Sequence, residues 1–127
     1  MKYIVESSKS VEQASKDLEV AVAAHGFGVQ HIHDLYATLN AKGVPFENEV
    51  RVFEVCNPHK AAAVLTHAME LNMALPCRIS VWEQNGQTFL GMINPSAVLS
   101  MFSDSEELGE VAREVEEITK AIIDDAA

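Results

Sequence analysis

The chain has 127 residues, of which 48% are hydrophobic and 22% charged, and it carries a formal net charge of −10. That length suits one domain with its own core and is too short for two. The acidic balance argues against nucleic acid and anionic membrane surfaces as partners, and no apolar run is long enough to insert in a membrane as a helix.

In chain order, Lys2 to Glu6 predicts a short strand. Ser10-Val11-Glu12-Gln13 resembles a capping box, and Val11, Ala14, Leu18, Ala21 and Val22 follow at helical spacing as far as Gly26. Phe27 to Leu35 predicts a second strand, Leu35 to Lys42 a short helix or turn, and Val50 to Val55 a third strand. Asn57-Pro58 is a helix start, with Asn as cap and Pro where no amide bond is lost. Ala61, Ala62, Val64, Leu65, Ala68 and Met69 then fall on one helical face and His59, Lys60, Thr66, His67 and Glu70 mostly on the other. That central helix, followed by a loop over Leu71 to Pro76, is expected to cover the sheet.

Asn85-Gly86 between two β-rich runs predicts a two-residue type I′ hairpin, and the turn sets its register. Trp82 then faces Phe89, Val81 faces Leu90 and Ile79 faces Met92. One face carries Ile79, Val81, Leu90 and Met92. The other carries Arg78, Ser80, Trp82, Phe89, Gly91 and Ile93, more apolar surface than a solvated face holds. Something is expected to cover it: a partner chain, a ligand or another helix. Beyond Asn94-Pro95, Ala97 to Phe102 predicts a short helix. Ser103 or Ser105 caps a last one, with Leu108, Val111, Ala112, Val115, Ile118 and Ile122 as its apolar stripe. Nine of the 19 acids lie between Asp104 and Asp125, and their plain reading is a solvated helix face.

With Glu54-Val55-Cys56-Asn57-Pro58, Ala61, Leu65, Leu75-Pro76-Cys77-Arg78, Val81 and Asn94-Pro95 in view, the chain resembles domain-of-unknown-function family 302, a group of small bacterial and archaeal proteins. The resemblance covers about residues 3 to 102, with the acidic helix at about 104 to 125 beyond its tightest part. Cys-Asn-Pro followed by Leu-Pro-Cys-Arg is specific as a pair. The resemblance implies a two-layer α+β fold with an antiparallel sheet and often a homodimer; it implies no activity. The residues independently give an α+β domain, because strands alternate with helices while the tight hairpin demands an antiparallel pair.

Two constellations compete for function. Arg78, Trp82, Phe89 and Gly91 offer an aromatic wall, one cation and a gap beside glycine, which suits a small anionic or partly apolar ligand. The same patch suits a dimer interface. The rival is a thiol-redox or soft-metal site built on Cys56 and Cys77, with His59 as a third ligand; there the field at the start of the central helix favours a Cys56 thiolate. Its plain counterpart is two small buried hydrophobes beside a helix end. His31 and His33 share a strand face and read as exposed histidines. No phosphate loop and no serine nucleophile elbow occurs in the sequence. The expectation is one domain over 1–127 that binds a small molecule or a partner, without catalysis of its own and with no cofactor. It is further expected to be a homodimer and cytoplasmic, since Met1-Lys2-Tyr3 does not open an export signal.

Overall fold

The computed structural model describes residues 1–127. Five strands form one wholly antiparallel sheet: β1 (Lys2–Ser7), β2 (Gly28–Asp34), β3 (Val50–Cys56), β4 (Cys77–Gln84) and β5 (Gln87–Ile93), in the spatial order β1-β5-β4-β3-β2. The helices are α1 (Val11–Ala24), α2 (Leu35–Ala41), α3 (Pro58–His67), α4 (Pro95–Ser100) and α5 (Glu106–Ala126). The fold is α+β, with helices α1 and α5 lying together on one face of the sheet. None of these helices is long and apolar enough to cross a membrane.

Local signals account for most boundaries. The Ser10 side chain accepts from Gln13 N and starts α1, and Gly26 takes a left-handed φ of +79° just past its end. At the hairpin, Asn85 and Gly86 both hold positive φ, as a type I′ turn requires. The observed pairs Val81↔Leu90, Trp82↔Phe89 and Gln84↔Gln87 are those the turn predicts. Alternation then turns Ile79, Val81, Leu90 and Met92 into the core, against Val11, Leu18 and Val22 of α1 and Ile122 and Ile123 of α5. Each such aliphatic side chain contributes about 1.5–3 kcal/mol by leaving water.

The central helix departs from expectation. Helix α3 packs on α5 and on a 3₁₀ segment over Met69–Ala74, which replaces the end of the predicted helix and most of the loop predicted over Leu71 to Pro76, and does not cover the sheet. Only Val64 of its apolar face is buried, while Ala62 is exposed and Met69 is 67% exposed. The reason is competition. The 21-residue α5, with a far stronger apolar stripe, takes the seat on the sheet, and α3 is left on its flank.

The acids of α5 do more than meet solvent. Asp124 accepts from the Tyr3 hydroxyl at 2.7 Å, Asp125 meets His25 at 2.6 Å and Glu114 meets Lys60 at 2.8 Å. Glu116 accepts from both the backbone N–H and the hydroxyl of Ser96, at 3.2 and 2.6 Å. These four contacts tie α5 to β1, α1, α3 and α4. Helix α4 begins at Pro95, two residues before the predicted start, and Asn94 makes no capping bond of its own. Glu116 supplies the missing acceptor from another helix.

Candidate functional site

The second sheet face has no helix across it. It carries Arg78, Ser80 and Trp82 from β4, Phe89, Gly91 and Ile93 from β5, and Ile4 from β1 by the pairing Ile4↔Gly91. Ile93 is 61% exposed and the Arg78 side chain 64%. Trp82 and Phe89 stack, with ring centroids 5.6 Å apart and planes inclined by 22°. So the structure brings Arg78, Trp82, Phe89 and Gly91 to one face, as the hairpin register requires. It also corrects the expected gap beside Gly91. A Cβ there would lie 3.0 Å from Ile4 Cγ1, 3.0 Å from the Tyr3 carbonyl oxygen and 3.1 Å from the tip of the Trp82 ring. The dent is filled from within the chain, because β1 lies beside β5 and lends Ile4 to cover it.

Towards β2, the same face turns polar. A bulge between Val29 and His31 sets His31 opposite Glu54 and His33 opposite Val52. The two histidine rings meet edge-on at 4.4 Å. The Glu54 side chain lies 3.5 Å from His33 Nε2 and 4.0 Å from the Arg78 guanidinium. Glu54, the one acid of β3, thus faces a histidine on one neighbouring strand and Arg78 on the other.

The open space lies at the end of the sheet where β4 begins and β5 ends. A cavity of about 630 Å³ opens there, with 22 hydrophobic residues among its 31 lining residues. Its wall takes Ile4, Trp82, Gly91 and Ile93 from the open face. It continues past Leu75, Pro76 and Cys77 to Val64, Leu99 and Val111 under the helices. Arg78 stands on its rim with Lys2 and Lys60. Phe89 is not part of the wall; it backs Trp82 from behind. Sequence reasoning reached Arg78, Trp82 and Gly91 but missed Lys2, Ile4 and the α4–α5 wall. No local signal pairs β1 with β5, and Lys60 falls on the polar face of its helix, where nothing in the spacing marks a pocket.

The two cysteines come close but do not face each other. Cys77 pairs with Val55, the neighbour of Cys56, so alternation turns the two side chains to opposite faces of the ladder. Both are free thiols and both line the cavity. Burial, with a smaller push from nearby Cys56, raises the Cys77 thiol to about 11. Burial raises Cys56 as well, against the expected thiolate-favouring field. The helix start is already occupied: the Asn57 side chain accepts from His59 N and Lys60 N. Cys56 ends the strand before it. His59 is exposed, and no three of the His, Cys, Asp and Glu side chains gather as a group able to hold a metal ion.

Over residues 3–126 the sequence matches the family described as "Domain of unknown function DUF302", a span that takes in α5. The fold is similar to the crystal structure of an uncharacterized conserved DUF302 protein from Bacillus stearothermophilus. That chain is 31% identical, with a TM-score of 0.94 over 99% of this chain and 98% of the other. No curated protein matches the sequence.

Proposed function

The chain belongs to the DUF302 family, and on that premise we propose that it is a small-molecule binding module that carries out no chemistry of its own. One observation carries the reading. The 630 Å³ cavity is walled mainly by hydrophobic side chains, with a few polar groups at its rim. Small-molecule sites typically have volumes of about 300–1,000 Å³ and this same balance of apolar wall and sparse polar anchors. Trp82 and Ile4 form one wall, the segment Leu75-Pro76-Cys77 the turn of the cavity, and Arg78 a polar anchor.

The reading includes a homodimer. Ile4, Ile93 and Phe102 stay 44%, 61% and 43% exposed on or beside the uncovered face, which is the kind of patch a second copy covers. The rival thiol reading draws support from the cavity that Cys56 and Cys77 share, and is opposed by thiols that burial keeps protonated.

Titration with phenylnaphthylamine, an uncharged dye that brightens in apolar sites, tests the proposal. Binding is expected in the wild type. Ala61→Phe, which adds a ring to the cavity wall, should abolish it while the melting temperature holds or rises. Equal dye binding by the wild type and by Ala61→Phe would place the dye elsewhere and sink the reading.

A further inference from the structure

The chain carries 19 acids against nine Lys and Arg, yet the cavity wall holds Lys2, Lys60 and Arg78 and no Asp or Glu. In a protein of net charge −10 that local reversal of sign is a property of the site and not of the chain. The three cations are not equivalent. Lys60 is held by Glu114 at 2.8 Å, and Arg78 sits 4.0 Å from Glu54, too far for a hydrogen bond. Lys2 has no carboxylate partner, so Arg78 and Lys2 keep donors to offer.

The sheet sets these two side by side. Lys2 pairs with Ile93 across β1 and β5. Continuing the β4–β5 register from Ser80↔Gly91 brings Arg78 opposite Ile93 from the other side. Lys2, Ile93 and Arg78 therefore form one row across three strands of the open face. Two strand spacings separate the cations, about 10 Å between backbones, within reach of both long side chains for one small anionic group. The next row inward is Ile4, Gly91 and Ser80, roofed by Trp82. Charge thus lies at the sheet end and apolar surface directly behind it.

From this arrangement we infer that the cavity takes an anionic amphiphile, a carboxylate or sulfonate on an apolar body, with the head between Lys2 and Arg78 and the body against Ile4, Ile93 and Trp82. The inference rests on the cavity reading above and adds the sign of the ligand's charge. A free amphiphile is the occupant rather than a lipid headgroup in a bilayer, because a chain of net charge −10 is repelled by an anionic membrane surface.

Two dyes with one skeleton separate the steps. Anilinonaphthalenesulfonate is phenylnaphthylamine with a sulfonate added, so their affinity ratio isolates the charge. The wild type is expected to bind the sulfonate about tenfold tighter, the size of effect for two partly exposed charged contacts. That preference should shrink as salt is added. Lys2→Gln with Arg78→Gln should bring the ratio of sulfonate to neutral-dye affinity close to one, by weakening the sulfonate far more than the neutral dye. Lys16→Gln, on the exposed side of α1, should change neither. Equal affinity for both dyes in the wild type, or equal weakening of both in the double variant, would overturn the inference while leaving the cavity reading intact. Binding of neither dye would overturn both. Co-sedimentation with phosphatidylglycerol vesicles would overturn the choice of a free amphiphile.

Discussion

The Trp82 ring tip rests 3.1 Å from the point where a Cβ on Gly91 would stand, so the indole is seated by the absence of a side chain on the neighbouring strand. The opposing wall of that seat is Ile4, and the Tyr3 carbonyl oxygen closes it from the backbone side at 3.0 Å. A methyl group at Gly91 cannot be accommodated by moving one flexible side chain, since a backbone atom of a paired strand is among its neighbours. Gly91→Ala is expected to cost about 1–3 kcal/mol, the usual range for overpacking. Trp82 is the only tryptophan, so its emission should shift as the ring is lifted towards water. Urea unfolding followed by that emission checks both; an unchanged midpoint and unchanged emission would show that Trp82 does not depend on Gly91.

Glu116 ties α4 to α5 in a way that depends on pH. Burial pushes its carboxyl up, but the hydrogen bonds from Ser96 and the charge of Lys120 outweigh burial and hold it below the ordinary value of 4.5. The folded state therefore prefers the carboxylate. The stability it contributes is present above that ordinary value and is lost as pH falls through the lower folded value. Glu116→Gln is expected to destabilise by about 1–2 kcal/mol at neutral pH. The gap between the variant and the wild type should close on acidification. Urea midpoints at about pH 7 and about pH 3 measure it; a gap that stays constant would mean that the charge of Glu116 contributes nothing.

What the sequence made legible is what neighbours in the chain decide. Asn85-Gly86 sets the hairpin register, and from it follow the core face of Ile79, Val81, Leu90 and Met92 and the clustering of Arg78, Trp82 and Phe89 on the other. Ser10 and Asn57 announce their helices because capping is local. What stayed hidden depends on residues far apart in sequence. Lys2 lies beside Ile93, and Ile4 fills the dent at Gly91, only because β1 joins the sheet next to β5. The apolar spacing of the central helix is present as read, but spacing does not say which of two amphipathic helices wins the sheet; α5 does. Asn57 caps its helix as the sequence indicates, but the field expected at Cys56 does not follow from it, since the oxygen that starts the helix also consumes the donors a thiolate would need.

The uncovered face predicts assembly. Ile93 and Ile4 stand 61% and 44% exposed there, beside the half-buried stack of Trp82 and Phe89. Sedimentation velocity across micromolar concentrations is expected to report a dimer. Ile93→Glu, a change at an exposed position that the fold should tolerate, is expected to shift the equilibrium towards monomer without lowering the melting temperature by more than a few degrees. A wild type that remains monomeric throughout this range would remove the second copy from the account and leave the face to a ligand alone.

The thiols give the last prediction. Cys77 faces the core beside Ile79, and burial first, then Cys56, pushes it from the ordinary 9.0 up to about 11. Cys56 is raised by burial in the same direction. The thiolate is the reactive form, so both should react with iodoacetamide at neutral pH more slowly in the folded protein than after denaturation, Cys77 the more slowly. Because the folded pKa of Cys77 exceeds the unfolded one, its protonated form favours the folded state. That contribution is complete below about pH 9 and is lost as pH rises through about 11, on the order of 2–3 kcal/mol in all. Cys77→Ala should flatten the fall in stability over that window, and Cys56→Ser should leave most of it in place. Labelling rates against pH for the wild type and each single variant separate the two sulfurs. Rapid labelling of Cys56 with a midpoint below about 8 would contradict the raised thiols and restore the redox reading. Inert thiols that label only on unfolding leave Cys56 and Cys77 as wall residues of the cavity.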